Sequence, residues 1–166
     1  MDKKYYLDKF QKSAARLDKK LLAKKQIEVA TGVYMDSVFL KLYKKQWANS
    51  SQNPLTSDSR IFFSVWINDS AISEQKILYN IHALKLRLLK GYSIESRRFA
   101  ASFRENFKGV EHQWQNVSVK FGPLTLMQGW LELKDENFEN EILKIANQFL
   151  EIDCLIDENL TKYKKL

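Results

Sequence analysis

The sequence predicts a single α+β domain over residues 1–166. The expected architecture is a largely antiparallel sheet of about five strands with long N- and C-terminal helices and one central helix, in the order α-β-β-β-α-β-β-α. Three observations lead there. Both ends carry apolar residues at spacings of three and four, the period of a half-buried helix. The middle carries short aromatic and β-branched runs of period two. Glycine and proline are scarce, at five and two, which argues against a loop-rich or repeat architecture. Ten Phe, seven Tyr and four Trp in 166 residues are enough for a core without disulfides or a structural metal.

Residues 3–33 read as a helix. Tyr6, Phe10, Ala14, Leu17 and Leu21 form one stripe. Ile27, Ala30 and Tyr34 resume it on another face, so a bend is expected near residues 23–26, with Gly32 as the stop. Residues 38–47 alternate as a strand: Val38, Leu40 and Leu42 lie on one side, Phe39, Lys41, Tyr43 and Trp47 on the other. The run ANSSQNPLTSDS, 48–59, is a loop. RIFFSVWI, 60–67, is apolar on both faces and suits a central strand. NDSAISEQ, 68–75, reads as a turn. Residues 76–89 fit either period; the short preceding turn favours a strand paired with 60–67.

The segment after Gly91 is an amphipathic helix over 94–108, with Ser93 as its cap and Glu95 in its first turn. Ser96, Phe99, Ala100, Phe103 and Phe107 share a face that must be buried. Residues 114–121 and 124–133 read as a hairpin about Gly122-Pro123, where a type II′ turn would tolerate the proline. Gly129 interrupts the second strand, the mark of a bulge or a close backbone approach. Residues 137–163 close the chain as a helix with Phe138, Ile142, Ile145, Phe149, Ile152 and Ile156 on one stripe. The two terminal helices are expected on one face of the sheet; the same stripes could alternatively build a homodimer.

The net charge is +7 and is unevenly spread. Residues 1–45 carry +7, residues 85–108 carry +5 and residues 134–166 carry −3. Two basic regions and an acidic tail suit a partner that is nucleic acid or an acidic protein. The plainer account is a lysine-rich solvated helix paired with the acidic one. The nearest thing to an anion site is the row Arg97, Arg104 and Lys108 beside the aromatic face, supported by Arg98, Arg87 and Lys90. Tyr92, Trp47 or Trp114 could stack a base against it. No RNP, zinc-finger or helix-turn-helix pattern accompanies the row.

Catalytic and phosphate-loop motifs are missing: no Gly-x-Ser-x-Gly, Walker loop, Gly-x-Gly-x-x-Gly or His-Glu-x-x-His. Histidine as a residue type titrates near neutrality, which makes His82 and His112 candidate bases, but a satisfied core histidine and a solvated loop residue account for them. Cys154, the only cysteine, stands beside Asp153 and reads as a packing residue. Glu136 and Glu139 could chelate, but acidic residues also settle a helix N-terminus, and no cofactor or metal is implied. His82, Trp114, Gln128 and Trp130 around Gly129 make a candidate pocket, with an aromatic core as the plainer account. The charged N-terminus lacks an apolar leader and no run reaches the ~20 residues of a membrane span, so the expectation is a cytoplasmic, non-enzymatic binding domain with no membrane partner.

Overall fold

The computed structural model describes residues 1–166. Helix α1 (Lys3–Ala15) starts where the Asp2 carboxylate accepts the Tyr5 amide. The chain breaks at residues 16–18, and Asp18 caps α2 (Lys19–Lys25) by accepting the Lys20 and Leu21 amides. Gln26, in the left-handed region at φ 59°, ends α2. The chain then enters strand β1 (Glu28–Tyr34). One helix over 3–33 is therefore corrected to two short helices and a strand. Ile27–Tyr34 is rich in β-branched residues, and seven residues of pairing with the next strand outweigh a weak helical period. Gly32 lies inside β1, not at a helix end: a Cβ there would stand 3.0 Å from the Phe39 ring.

Strands β2 (Ser37–Tyr43), β3 (Arg60–Ile67), β4 (Lys76–Leu84) and β5 (Thr125–Glu132) complete an antiparallel sheet in the order β1-β2-β3-β4-β5. β2 ends earlier than expected, because Lys45–Trp47 turn into a 3-10 helix that buries Trp47. The expected turn at 68–75 holds a short helix α3 (Asp69–Ser73), capped by Asn68. The expected strand at 114–121 is absent, and only Ser118 bridges Gln128 of β5. Trp114 is drawn into the core and Asn116 sits at φ 54°, which takes the chain out of an extended path. Gly122 does not adopt the positive φ of a type II′ turn.

Helices α4 (Ser96–Phe107) and α5 (Phe138–Thr161) cover one sheet face together with α1, which lies over β1 and β2. Glu95 rather than Ser93 stands at the start of α4, and no side chain caps it. As the aromatic spacing predicts, Phe99, Phe103 and Phe107 are buried. Phe149 of α5 stacks on Phe63 of β3 at 4.6 Å between ring centres. One core cluster of 36 buried residues joins α1, the sheet, α4 and α5. The terminal helices meet only at one end: Phe10 packs edge-on against Phe138, and the Ser13 hydroxyl donates to the Glu139 carbonyl. Both apolar stripes are spent inside this core. No helix is long and apolar enough to cross a membrane.

Candidate ligand-binding face of the sheet

Alternation along each strand separates two faces. Val38, Leu40, Leu42, Phe63, Val65, Tyr79 and Ile81 point into the helix-covered core. The residues between them form the second face, and its two cavities are lined by strand residues and the 48–59 loop alone. The larger, about 390 Å³, lies between Tyr34, Phe39, Lys41 and Arg60 on the strands and Leu55 and Thr56 on the loop. The smaller, about 180 Å³, continues from Tyr34, Phe39 and Lys41 to Phe62, Trp66 and His82.

Register turns this face into rows. Lys41, Ser64, Asn80 and Gln128 stand opposite one another across four strands. On one side of this polar row run Phe39, Trp66, Leu78 and Trp130. On the other run Phe62 and His82, whose rings lie 5.3 Å apart. A polar track thus lies between two lines of rings. Strands about 4.8 Å apart place Phe39 and Trp130 about 14 Å from each other.

The electrostatics of the track are one-sided. The Lys41 ammonium sits 4.5 Å from the Phe39 ring centre and 4.7 Å from that of Phe62. Arg60 lies over the other part of Phe62 at 5.5 Å. Neither cation reaches a carboxylate within 4.0 Å. Arg60 donates one guanidinium nitrogen to the Ser57 carbonyl and leaves its Nε without a partner. Burial pushes the Lys41 amine below its ordinary range, and neighbouring Arg60 pushes it further. Two cations held together with no carboxylate in contact, Asp58 acting on Arg60 only from beyond 4.0 Å, and set against the quadrupoles of aromatic rings, present a positive recess to solvent.

His82 is held neutral. Burial pushes its pKa down, and Lys41 and Arg60 act in the same direction against the backbone bond at Leu124. Nδ1 faces the Leu124 carbonyl at 3.3 Å, so it carries the proton and donates. Nε2 then accepts from the Asn80 amide at 2.7 Å. Asn80 also donates to Gln128, and its Oδ1 is buried with no partner. Both histidine nitrogens are engaged, which removes the lone pair a general base would use.

The candidate pocket of the sequence is thereby partly assembled. His82, Gln128 and Trp130 share the open face, while Trp114 lies on the core side against Phe63, Tyr79 and Phe107. Lys76 sits over the Trp130 ring at 4.6 Å. The anion row on α4 is differently disposed. The Arg104 guanidinium turns inward and donates to the carbonyls of Phe121, Gly122, Thr125 and Leu126. Lys108 pairs with Glu105 and Arg98 with Glu95. Arg97, Arg87 and Lys90 are exposed. Trp47 is buried and cannot stack a base, and Cys154 is exposed rather than packed, with its thiol pKa raised by partial burial and by Asp153. No group of three or more His, Cys, Asp or Glu side chains converges.

No sequence motif singles out Phe39, Lys41, Arg60, Phe62 or Trp66. Their signal in the sequence is the polar phase of the 38–47 alternation and the two-faced apolarity of 60–67, both of which read equally well as core. No family model matches the chain, and no curated protein or solved structure does either.

Proposed function

We propose that the chain is a non-enzymatic binding domain that carries single-stranded nucleic acid across the open face of its sheet. The observation behind this reading is the pair Lys41 and Arg60, which have no carboxylate partner and lie against the rings of Phe39 and Phe62. A ligand with flat bases and one negative charge per unit meets both features: bases stack on rings and phosphates neutralise the cations. In the polar row between the rings Gln128 is the side chain open to base edges, while Ser64 and Asn80 are buried beneath it. A duplex would bury its bases away from such a surface, so single strands are favoured. The net charge of +7 adds long-range attraction. The basic α4 keeps that supporting role, because Arg104 is committed to backbone carbonyls and Lys108 to Glu105.

The test is the salt dependence of affinity for an oligo(dT) strand. Each phosphate neutralised on a single strand contributes about 0.7 to the slope of log affinity against log salt. Lys41→Gln with Arg60→Gln flattens the slope by roughly 1.4. Arg97→Gln with Lys108→Gln on α4 leaves it nearly unchanged. Absence of binding at low salt, or equal flattening by both pairs, contradicts the proposal.

A further inference from the structure

The two edges of the sheet are finished differently. Beyond β5, Ser118 exchanges two backbone hydrogen bonds with Gln128, so that edge is partly occupied. Beyond β1 there is nothing comparable. Tyr34 pairs with Ser37 across a two-residue turn, so Glu28, Ala30, Gly32 and Tyr34 exchange hydrogen bonds with β2. The N–H and C=O groups of Val29, Thr31 and Val33 therefore point away from the sheet. No loop or side-chain group bonds them.

Sheet edges are ordinarily blunted by proline, a bulge or a charge at mid-strand. β1 has none of these. Its seven residues pair without a register shift, and its one charge, Glu28, stands at its start beside Lys45. At that end a groove of about 690 Å³ opens between α2 and the strand, with Leu22, Ala23, Ile27 and Val29 along its floor and, around it, Lys19 and the paired Lys45 and Glu28. Lys19, Lys20 and Lys24 are exposed, and no carboxylate lies within 4.0 Å of any of them.

We infer that the free edge of β1 takes an extended acidic segment of a partner protein as a sixth strand. Three features select this occupant. Alternating outward donors and acceptors fit a peptide backbone, which a phosphate chain cannot mimic. The apolar floor takes alternate side chains of a strand. The unpaired lysines favour acidic side chains over a second copy of this chain, whose net charge of +7 has the same sign. This surface meets the aromatic track at Val33, which also lines the larger cavity, but it draws on Lys19, Lys20 and Lys24 rather than Lys41 and Arg60, so either assignment can fail without the other.

The probe is a fluorescent eight-residue peptide alternating glutamate with valine and threonine, followed by anisotropy at low salt. The acidic peptide is expected to bind, and its lysine-substituted twin roughly tenfold or more weakly. Methylating the alternate peptide nitrogens that face β1 weakens binding by a similar factor. Thr31→Pro on the protein does the same, because it removes an outward N–H and no ladder bond. On binding, hydrogen exchange of the Val29, Thr31 and Val33 amides slows. Equal affinity of the lysine twin, indifference to N-methylation, or unchanged exchange at those three amides overturns the assignment. A dimer in sedimentation that Thr31→Pro abolishes overturns it too, by giving the edge to a second copy.

Discussion

The Lys44 ammonium lies 2.9 Å from the Asp153 carboxylate, and the two side chains are 7% and 3% exposed. The network extends to Asp157, which also accepts the Trp47 indole N–H, and to Lys25, 2.9 Å from Asp153. It ties the end of β2 and the end of α2 to the middle of α5. Burial by itself would lower the Lys44 pKa, but its hydrogen bonds to Asp157 and Asp153 outweigh that and raise it. Removing one partner of a buried ion pair strands the other. Lys44→Met is expected to lose about 3 kcal/mol, near the low end for such a loss because Lys25 still faces Asp153. Urea denaturation checks it, and an unchanged midpoint contradicts it.

Arg104 is expected to be a stability residue. Its guanidinium donates to four carbonyls of the 121–126 segment and holds that loop against α4. Arg104→Gln leaves most of those acceptors unpaired and is expected to cost about 2–3 kcal/mol. Because β5 starts in this segment, hydrogen exchange at Thr125–Met127 should accelerate in the variant. Retained stability with lost nucleic-acid binding would instead place Arg104 at the ligand.

These two clusters show which parts of the molecule were readable in the sequence. Strong, uncontested periods were read correctly: Phe99, Phe103 and Phe107 on α4, the α5 stripe, and the aromatic strand 60–67. Residues 27–34 were not, because Ile27, Ala30 and Tyr34 fit a helix while Val29, Thr31 and Val33 fit a strand, and pairing with β2 decides between them. The strand expected at 114–121 failed because Trp114 is claimed by the core, a tertiary effect invisible to local alternation. Spacing makes Arg104 a candidate anion ligand beside Arg97 and Lys108, yet spacing says nothing about carbonyls some twenty residues away. The open face was hardest. Aromatic rings on a strand look the same whether helices cover them or not, and only the sheet register aligns Lys41, Ser64, Asn80 and Gln128.

His82 gives a pH signature. Its folded-state pKa is below the ordinary 6.5 because burial disfavours the imidazolium. As pH falls below about 6.5 the unfolded chain takes the proton first, so stability declines, and the loss is complete below the folded value. His82→Gln removes this contribution. The stability difference, wild type minus variant, is therefore expected to shrink from pH 8 to pH 5. A difference that grows on acidification would mean that the folded protein favours the charged ring.

Gly129 is expected to reject a side chain. Tyr79 lies across it to donate to the Gln115 carbonyl at 2.6 Å, and a Cβ on Gly129 would overlap the phenol. Gly129→Ala is expected to cost about 1–3 kcal/mol. With Tyr79→Val in the same chain, part of that cost should disappear, since the obstructing ring is gone. Fully additive losses in thermal denaturation would show that the clash is not with Tyr79.

The most direct test of the binding face is an amide and indole NMR map of the protein titrated with a short oligo(dT) strand. The expected shifts centre on Phe39, Lys41, Phe62, Ser64, Asn80 and the Trp66 and Trp130 indoles, with α4 and α5 little changed. Shifts centred on Arg97, Arg98 and Lys108 of α4, with the open face silent, would contradict the account.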